Sequence, residues 1–179
     1  MVTWRDGCFI PDFGQTLTWA PDSRTPTFFD DMLVQFKQHA RIDWADDDAM
    51  CSLYLAAAVS RIEQFCLIPV APAAYDWYID PEFRPTDYVV LPLQNAVLPG
   101  DQFGFELLIA PKRVPTPVAW PLRIEVGFET GQAAPPDIRA TICALALGLH
   151  EYRSTPEMQE VHSRAVMAVG LARYWVPRV

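Results

Sequence analysis

A central block of this chain has a hydrophobic period of two, and the segments on either side of it have a period between three and four. Within the block, residues 67–130, Tyr75, Trp77 and Ile79 alternate with Asp76, Tyr78 and Asp80. Phe103, Phe105, Leu107 and Ile109 alternate with Gly104, Glu106 and Leu108, and Leu122, Ile124, Val126 and Phe128 with Arg123, Glu125 and Gly127. Side chains leave a strand on alternate faces, so the pattern predicts half-buried strands separated by turns at the prolines and glycines. Helices flanking such a block make an α+β chain. The expected architecture is a small helical bundle with an antiparallel strand block inserted between its second and third helices.

The helices are bounded by their own chemistry. A first is predicted over 28–40, with Leu33, Phe36 and Ala40 on one stripe. Asp46-Asp47-Asp48 marks the start of a second, over 47–66, because carboxylates accept the free amide hydrogens and favour the positive end of the dipole. Met50, Leu53, Ala57 and Phe65 fall near one face of it, with Tyr54, Ala58 and Ile62 beside them, and Pro69 ends it. Pro135-Pro136-Asp137 opens a third, over 136–153, with a seam of Ile138, Ile142, Leu145, Leu149 and Tyr152. Ala140, Ala144, Leu147 and Gly148 form its second, small-residue face, so neighbours are expected on two sides. Ser154-Thr155-Pro156-Glu157 has the form of a capping box and starts a fourth helix, over 156–172. Its apolar stripe is Val161, Ala165, Ala168 or Val169, and Ala172, the side such a helix ordinarily buries.

The two ends differ from this body, residues 27–172. In residues 1–26, Trp4, Phe9, Phe13 and Trp19 stand among Pro11, Pro21 and Pro26, which predicts an extended arm packed against something. Residues 173–179 form an aromatic and basic tail that Pro177 keeps extended. Trp, Tyr and Arg dominate binding hot spots, so Trp4, Trp19, Arg173, Tyr174, Trp175 and Arg178 are the candidate interface residues.

Composition narrows the classes of function. Hydrophobic residues make up 51% of the chain, which excludes a disordered one. No stretch approaches the roughly 18 unbroken apolar residues of a membrane helix. The N-terminus lacks a basic start and apolar run, so folding in a cytoplasm is expected. Cys8, Cys51, Cys66 and Cys143 are scattered and read as free thiols, three of them in helices. A formal charge of −8 disfavours a protein that grips phosphate backbones, though not one that DNA passes.

The usual signatures of catalysis do not assemble. His150-Glu151 begins like a zinc-protease helix, but the second histidine position is Ser154, and His39 and His162 have no partner at ligand spacing. Asp46-Asp47-Asp48 lacks the glycine and distal glutamate of a calcium loop. Gly127-Phe128-Glu129-Thr130-Gly131 has neither the lysine of a P-loop nor a third glycine. Asp76, Asp80, Glu82 and Asp87 could supply a carboxylate pair, as in a small hydrolase, but they sit on expected strand edges and turns, where acids are usually solvated. No catalytic residue, metal ligand or cofactor is therefore assigned, and the chain reads as a non-enzyme.

Three segments taken in order form a more specific pattern. The second helix ends Arg61-Ile62-Glu63-Gln64-Phe65-Cys66, and the strand block closes on Ile124-Glu125-Val126-Gly127-Phe128-Glu129-Thr130-Gly131. Then comes Pro135-Pro136-Asp137-Ile138-Arg139-Ala140-Thr141-Ile142, running on to His150-Glu151-Tyr152-Arg153. Over roughly residues 28–176 this resembles the head–tail connector (adaptor) proteins of tailed phages and gene transfer particles, the gp6-like connectors. Residues 1–26 are longer and more aromatic than that family's pattern. The resemblance implies a structural virion protein, assembled in the host cytoplasm and located in the neck of the particle. It implies a homo-oligomeric ring of about twelve copies, docked to the portal protein and to a stopper or tail-completion protein. Double-stranded DNA would pass through its lumen without specific binding. About twelve copies at −8 would put on the order of a hundred negative charges around that channel. Another neck component, such as a stopper or tail-completion protein, is the alternative within the class.

Overall fold

A computed structural model describes residues 3–5, 8–10, 14–20, 27–66, 68–93, 95–101 and 112–174, with the backbone alone at 3–5, 8–10 and 173. The chain is α+β and divides into two compact units. The sheet unit takes residues 1–25 and 72–127, and the helical unit 26–71 and 128–179.

The sheet unit contains β1 (Thr3–Arg5), β2 (Cys8–Ile10), β3 (Gln15–Ala20), β4 (Ala73–Ile79), β5 (Tyr88–Val90), β6 (Arg113–Pro115) and β7 (Leu122–Val126). β4 is the middle of a three-stranded antiparallel sheet in the order β3-β4-β7, while β1 pairs with β2 and β5 with β6. Register sets Leu17 and Leu122 on either side of Trp77, and Trp77 is buried in the unit's core with Leu17, Ile79, Leu91, Ile124 and Val126. The segments read as alternating at Tyr75–Asp80 and Leu122–Gly127 form β4 and β7, but β7 is not half-buried at its end, where Ile124, Glu125 and Val126 are all covered. The expected strand at 103–109 lies outside the described residues. Residues 15–20, expected within an extended arm, instead form the edge strand β3. Leu17 and Ala20 are buried there, and the β-branched Thr16 and Thr18 on either side of Leu17 suit a pleated edge.

The helical unit holds α1 (Phe28–Ala40), α2 (Asp48–Cys66), α3 (Pro136–Glu151) and α4 (Pro156–Gly170), closed by a 3₁₀ turn at Ala172–Tyr174. α3 is central: α1 and α2 pack on it, and so does α4. Its seam of Ile138, Ile142, Leu145 and Leu149 is buried as the spacing predicts. Beside α1, Phe28 stacks on Phe128 with ring centroids 6.5 Å apart.

Several faces differ from the expected ones. α1 buries Phe28, Met32 and Phe36, with Leu33 and Ala40 only partly covered. α2 buries Cys51, Leu55, Ala58, Val59, Ile62 and Cys66 and exposes Met50 and Leu53, so its inward arc is rotated from the one read. α2 is apolar most of the way round, and periodicity cannot choose among arcs when nearly every one qualifies. The carboxylates at the start of α2 also serve differently: Asp47 accepts from the Trp44 indole at 2.8 Å and Asp48 from Lys37. At α4 the capping residue is Thr155 without a side-chain cap bond, and its hydroxyl donates to the Tyr152 carbonyl. The expected capping box does not form.

α4 shows the largest departure. Its stripe of Val161, Ala165, Ala168, Val169 and Ala172 faces outward, and the one buried residue of the helix is Ser163. Close approach to α3 explains the inversion. A Cβ on Gly148 would lie 2.1 Å from the His162 ring, and one on Gly170 would lie 2.2 Å from the Thr141 hydroxyl oxygen. Glycine at both ends of the crossing lets α4 lie against α3 through His162 and Gly170, which turns the valines away.

The turn after α2 hangs on one half-buried carboxylate. Oε1 of Glu63 accepts from the amides of Val70 and Ala71 at 2.7 and 2.8 Å. Burial pushes its pKa up, outweighing the two amide hydrogens that pull it down. The folded state therefore carries a penalty for the charged form that is full above the folded pKa and is lost as pH falls from that value to the lower unfolded one. Glu63→Gln keeps an acceptor at Oε1 without the charge, and is expected to leave stability at pH 7 unchanged or raise it. Any gain should shrink as the pH is lowered. Glu63→Ala, which strands both amides, should cost about 2–3 kcal/mol. Thermal melts of the three proteins across pH 4.5–7.5 check this, and a destabilised Glu63→Gln at pH 7 would refute it.

Candidate functional site

The sheet unit has a cleft of about 540 Å³ lined by Gln15, Trp77, Ile79, Phe83, Asp87 and Tyr88, among others. Of the four carboxylates read as a conceivable pair, only Asp87 lines it. Asp76 is engaged across the strands by Arg123, at 2.6 and 3.4 Å. Glu82 is exposed on a 3₁₀ turn, and Asp80 is half-buried beside it. A carboxylate pair of the hydrolase kind must flank one substrate bond from two sides. These four do not converge.

Two of the histidines pack within the helical unit. His162 lies 3.1 Å from the Ala144 carbonyl and beside the Tyr152 ring. His150 meets the Tyr54 ring edge-on. His39 is exposed on α1. No cluster of three or more metal-binding side chains occurs among the described residues. Cys51, Cys66 and Cys143 are free, buried thiols, and burial pushes Cys66 and Cys143 up to about 11. A thiol held that far from ionisation is a poor nucleophile at neutral pH. No described helix is long and apolar enough to cross a membrane.

The candidate interface residues are spread along the chain. Trp19, on β3, is 69% exposed. Trp4 lies on β1, and Arg173 in the 3₁₀ turn after α4. Tyr174 is 4% exposed and donates its hydroxyl to Asp137 on α3 at 3.0 Å, so this part of the tail folds back on its own helical unit. Trp175 and Arg178 lie outside the described residues. A second surface was hidden by the expectation of an ordinary amphipathic α4. Between α3 and α4 runs a groove of about 460 Å³, walled by Ala140, Ala144, Ala165 and Val169, with Asp137 and Thr141 along it.

No family model matches the chain, and no curated protein does. Solved structures match along almost its whole length. A chain in the neck of the empty gene transfer agent (GTA) particle, computed with C6 symmetry, superposes with a TM-score of 0.56 at 18% identity, covering 92% of this chain and 97% of that one. A chain of the native GTA virion gives 0.55 at 18% identity over 91% and 96%. One in the neck of the native particle, computed with C12 symmetry, gives 0.54 at 18% identity over 92% and 97%. The fold is that of a GTA neck chain. At this identity the likeness is one of fold, and it agrees with the connector resemblance read from the helix ends and the strand block.

The fold also assigns work to the residues that carried that resemblance. In the segment Arg61–Cys66, Arg61 donates to the buried Ser163 hydroxyl of α4, Glu63 holds the turn, and Ile62 and Cys66 enter the core. In the segment Ile124–Gly131, the amide of Gly131 donates to Asp31 of α1 at 2.9 Å and the Glu129 carbonyl accepts from Thr27 at 3.0 Å. These are joints of the scaffold. Polar residues adjoining an apolar helix end were the available signal, but a single sequence does not name their partners.

Proposed function

We propose that this chain is a structural subunit of a particle neck: an adaptor that forms a ring, joins the capsid portal to the tail and lets DNA pass through its centre. The observation that carries the reading is the fold likeness to neck chains over more than nine-tenths of both partners, in particles computed with C6 and C12 symmetry. Two properties of the chain support it. Its charge of −8 disfavours adhesion of a passing duplex wherever acids face the channel. Its helical unit also presents apolar surface on α4 that a solitary domain would ordinarily bury.

Mass photometry of the purified chain, alone and with its portal protein, followed by imaging of the complex, tests the proposal. A ring of about twelve copies seated on the portal is expected. A stopper or tail-completion protein would bind a preformed adaptor ring and not the bare portal. A chain that stays monomeric and binds neither would overturn the reading.

A further inference from the structure

We infer that the outward face of α4, with the groove it forms against α3, seats a second copy of this chain, which enters with the exposed apolar corner where α1 leads into α2. This rests on the ring reading and specifies the contact that would close the ring.

Val161, Ala165 and Val169 recur every four residues and form one line along α4. Val161 is 63% exposed and Val169 86%. The groove beside them is walled by Ala140, Ala144, Ala165, Val166 and Val169, and its lining has no aromatic or long side chain to block entry of a large apolar group. The same helical unit carries a second exposed apolar patch with large side chains: Trp44, Met50 and Leu53. The Trp44 indole is tethered by its bond to Asp47, so less rotamer freedom remains to be lost on docking.

Symmetry decides the occupant. A closed ring is built from head-to-tail contacts, so every subunit must show two different faces that fit each other. If α4 paired with α4 of another copy, the face would be consumed in a dimer and growth would stop. One unit bearing a groove of small residues and, elsewhere, a patch of large ones meets the ring's requirement. The similar chains belong to necks computed with cyclic symmetry, C6 and C12, which calls for that kind of contact.

The test uses the full chain. Val169→Asp and Leu53→Asp are made separately; both sites are exposed, so circular dichroism and melting temperature should match the parent. Each change should lower ring formation at least tenfold at a fixed concentration by mass photometry, on the portal or free. In a Cys8→Ser background, mixing Val169→Cys chains with Leu53→Cys chains and adding a short bis-maleimide should give covalent dimers. Either variant alone should not. The other three cysteines are buried and should stay silent. Rings that form normally with Val169→Asp would overturn the inference while leaving the ring reading intact. So would normal rings that fail only to bind portal, because the face would then belong to the portal. A parent chain that makes no ring at all would overturn both.

Discussion

Replacing Trp77 by alanine is expected to cost about 3–5 kcal/mol of unfolding free energy, the range for removing a large aromatic from a packed core. Trp77 is buried to 1% exposure on the central strand, between Leu17 of β3 and Leu122 of β7. Its ring meets Trp120 edge-on at 5.5 Å, and its indole donates to Gln15 at 3.2 Å. Truncation therefore opens a void at the point where all three strands converge and leaves the Gln15 carbonyl without that donor. Trp77→Phe separates the two contributions. It keeps most of the apolar bulk and loses the hydrogen bond, so about 1–2 kcal/mol is expected. Urea denaturation followed by far-ultraviolet circular dichroism measures both. A cost below about 1 kcal/mol for the alanine variant would mean the sheet is not organised around this residue.

Gly131→Val is expected to cost on the order of 3 kcal/mol, from overpacking together with a lost charge-assisted bond. A Cβ at Gly131 would lie 2.6 Å from the Cβ of Asp31 and 3.4 Å from the backbone nitrogen of Met32. Neither atom is the end of a flexible side chain, so the loop itself must lift from α1. Lifting it breaks the bond from the Gly131 amide to Asp31 and strains the Thr27–Glu129 bond beside it. Differential scanning calorimetry should register a fall in melting temperature of several degrees. An unchanged transition would show that the loop is free to relax.

The two substitutions mark what a single sequence discloses and what it withholds. Helix ends were legible because their chemistry is local: Pro136 and Pro156 begin helices, and Pro69 follows the end of one. β4 and β7 were legible as strands for the same reason. β3 was not, since Gln15–Ala20 buries only Leu17 and Ala20, three residues apart, and leaves Trp19 outside. Trp19 drew notice as a sticky aromatic, while Leu17, which packs on Trp77, did not. For α4, periodicity located the apolar stripe correctly but not the side from which it is covered. That depends on Gly148 and Gly170 admitting the other face, a long-range fact. Tyr174 teaches the same lesson in reverse: the composition of a binding tail is met, in this residue, by a bond to the chain's own Asp137.

The order of elements along the chain has a consequence for how the protein is made. α2 buries Leu55, Ala58 and Ile62, and α3, on which it packs, begins at Pro136. About 70 residues separate the end of one from the start of the other, so at ~5–20 residues per second α2 leaves the ribosome several seconds before α3 exists. During that interval the emerging α1–α2 segment keeps an apolar flank uncovered while β4 to β7 are still being synthesised. The nascent chain is thus most open to chaperone capture, and to premature association with a neighbouring chain, from the completion of α2 until α3 has emerged. Ribosomes stalled in that window should carry the chaperone-bound form, and chains whose α3 has cleared the exit tunnel should not.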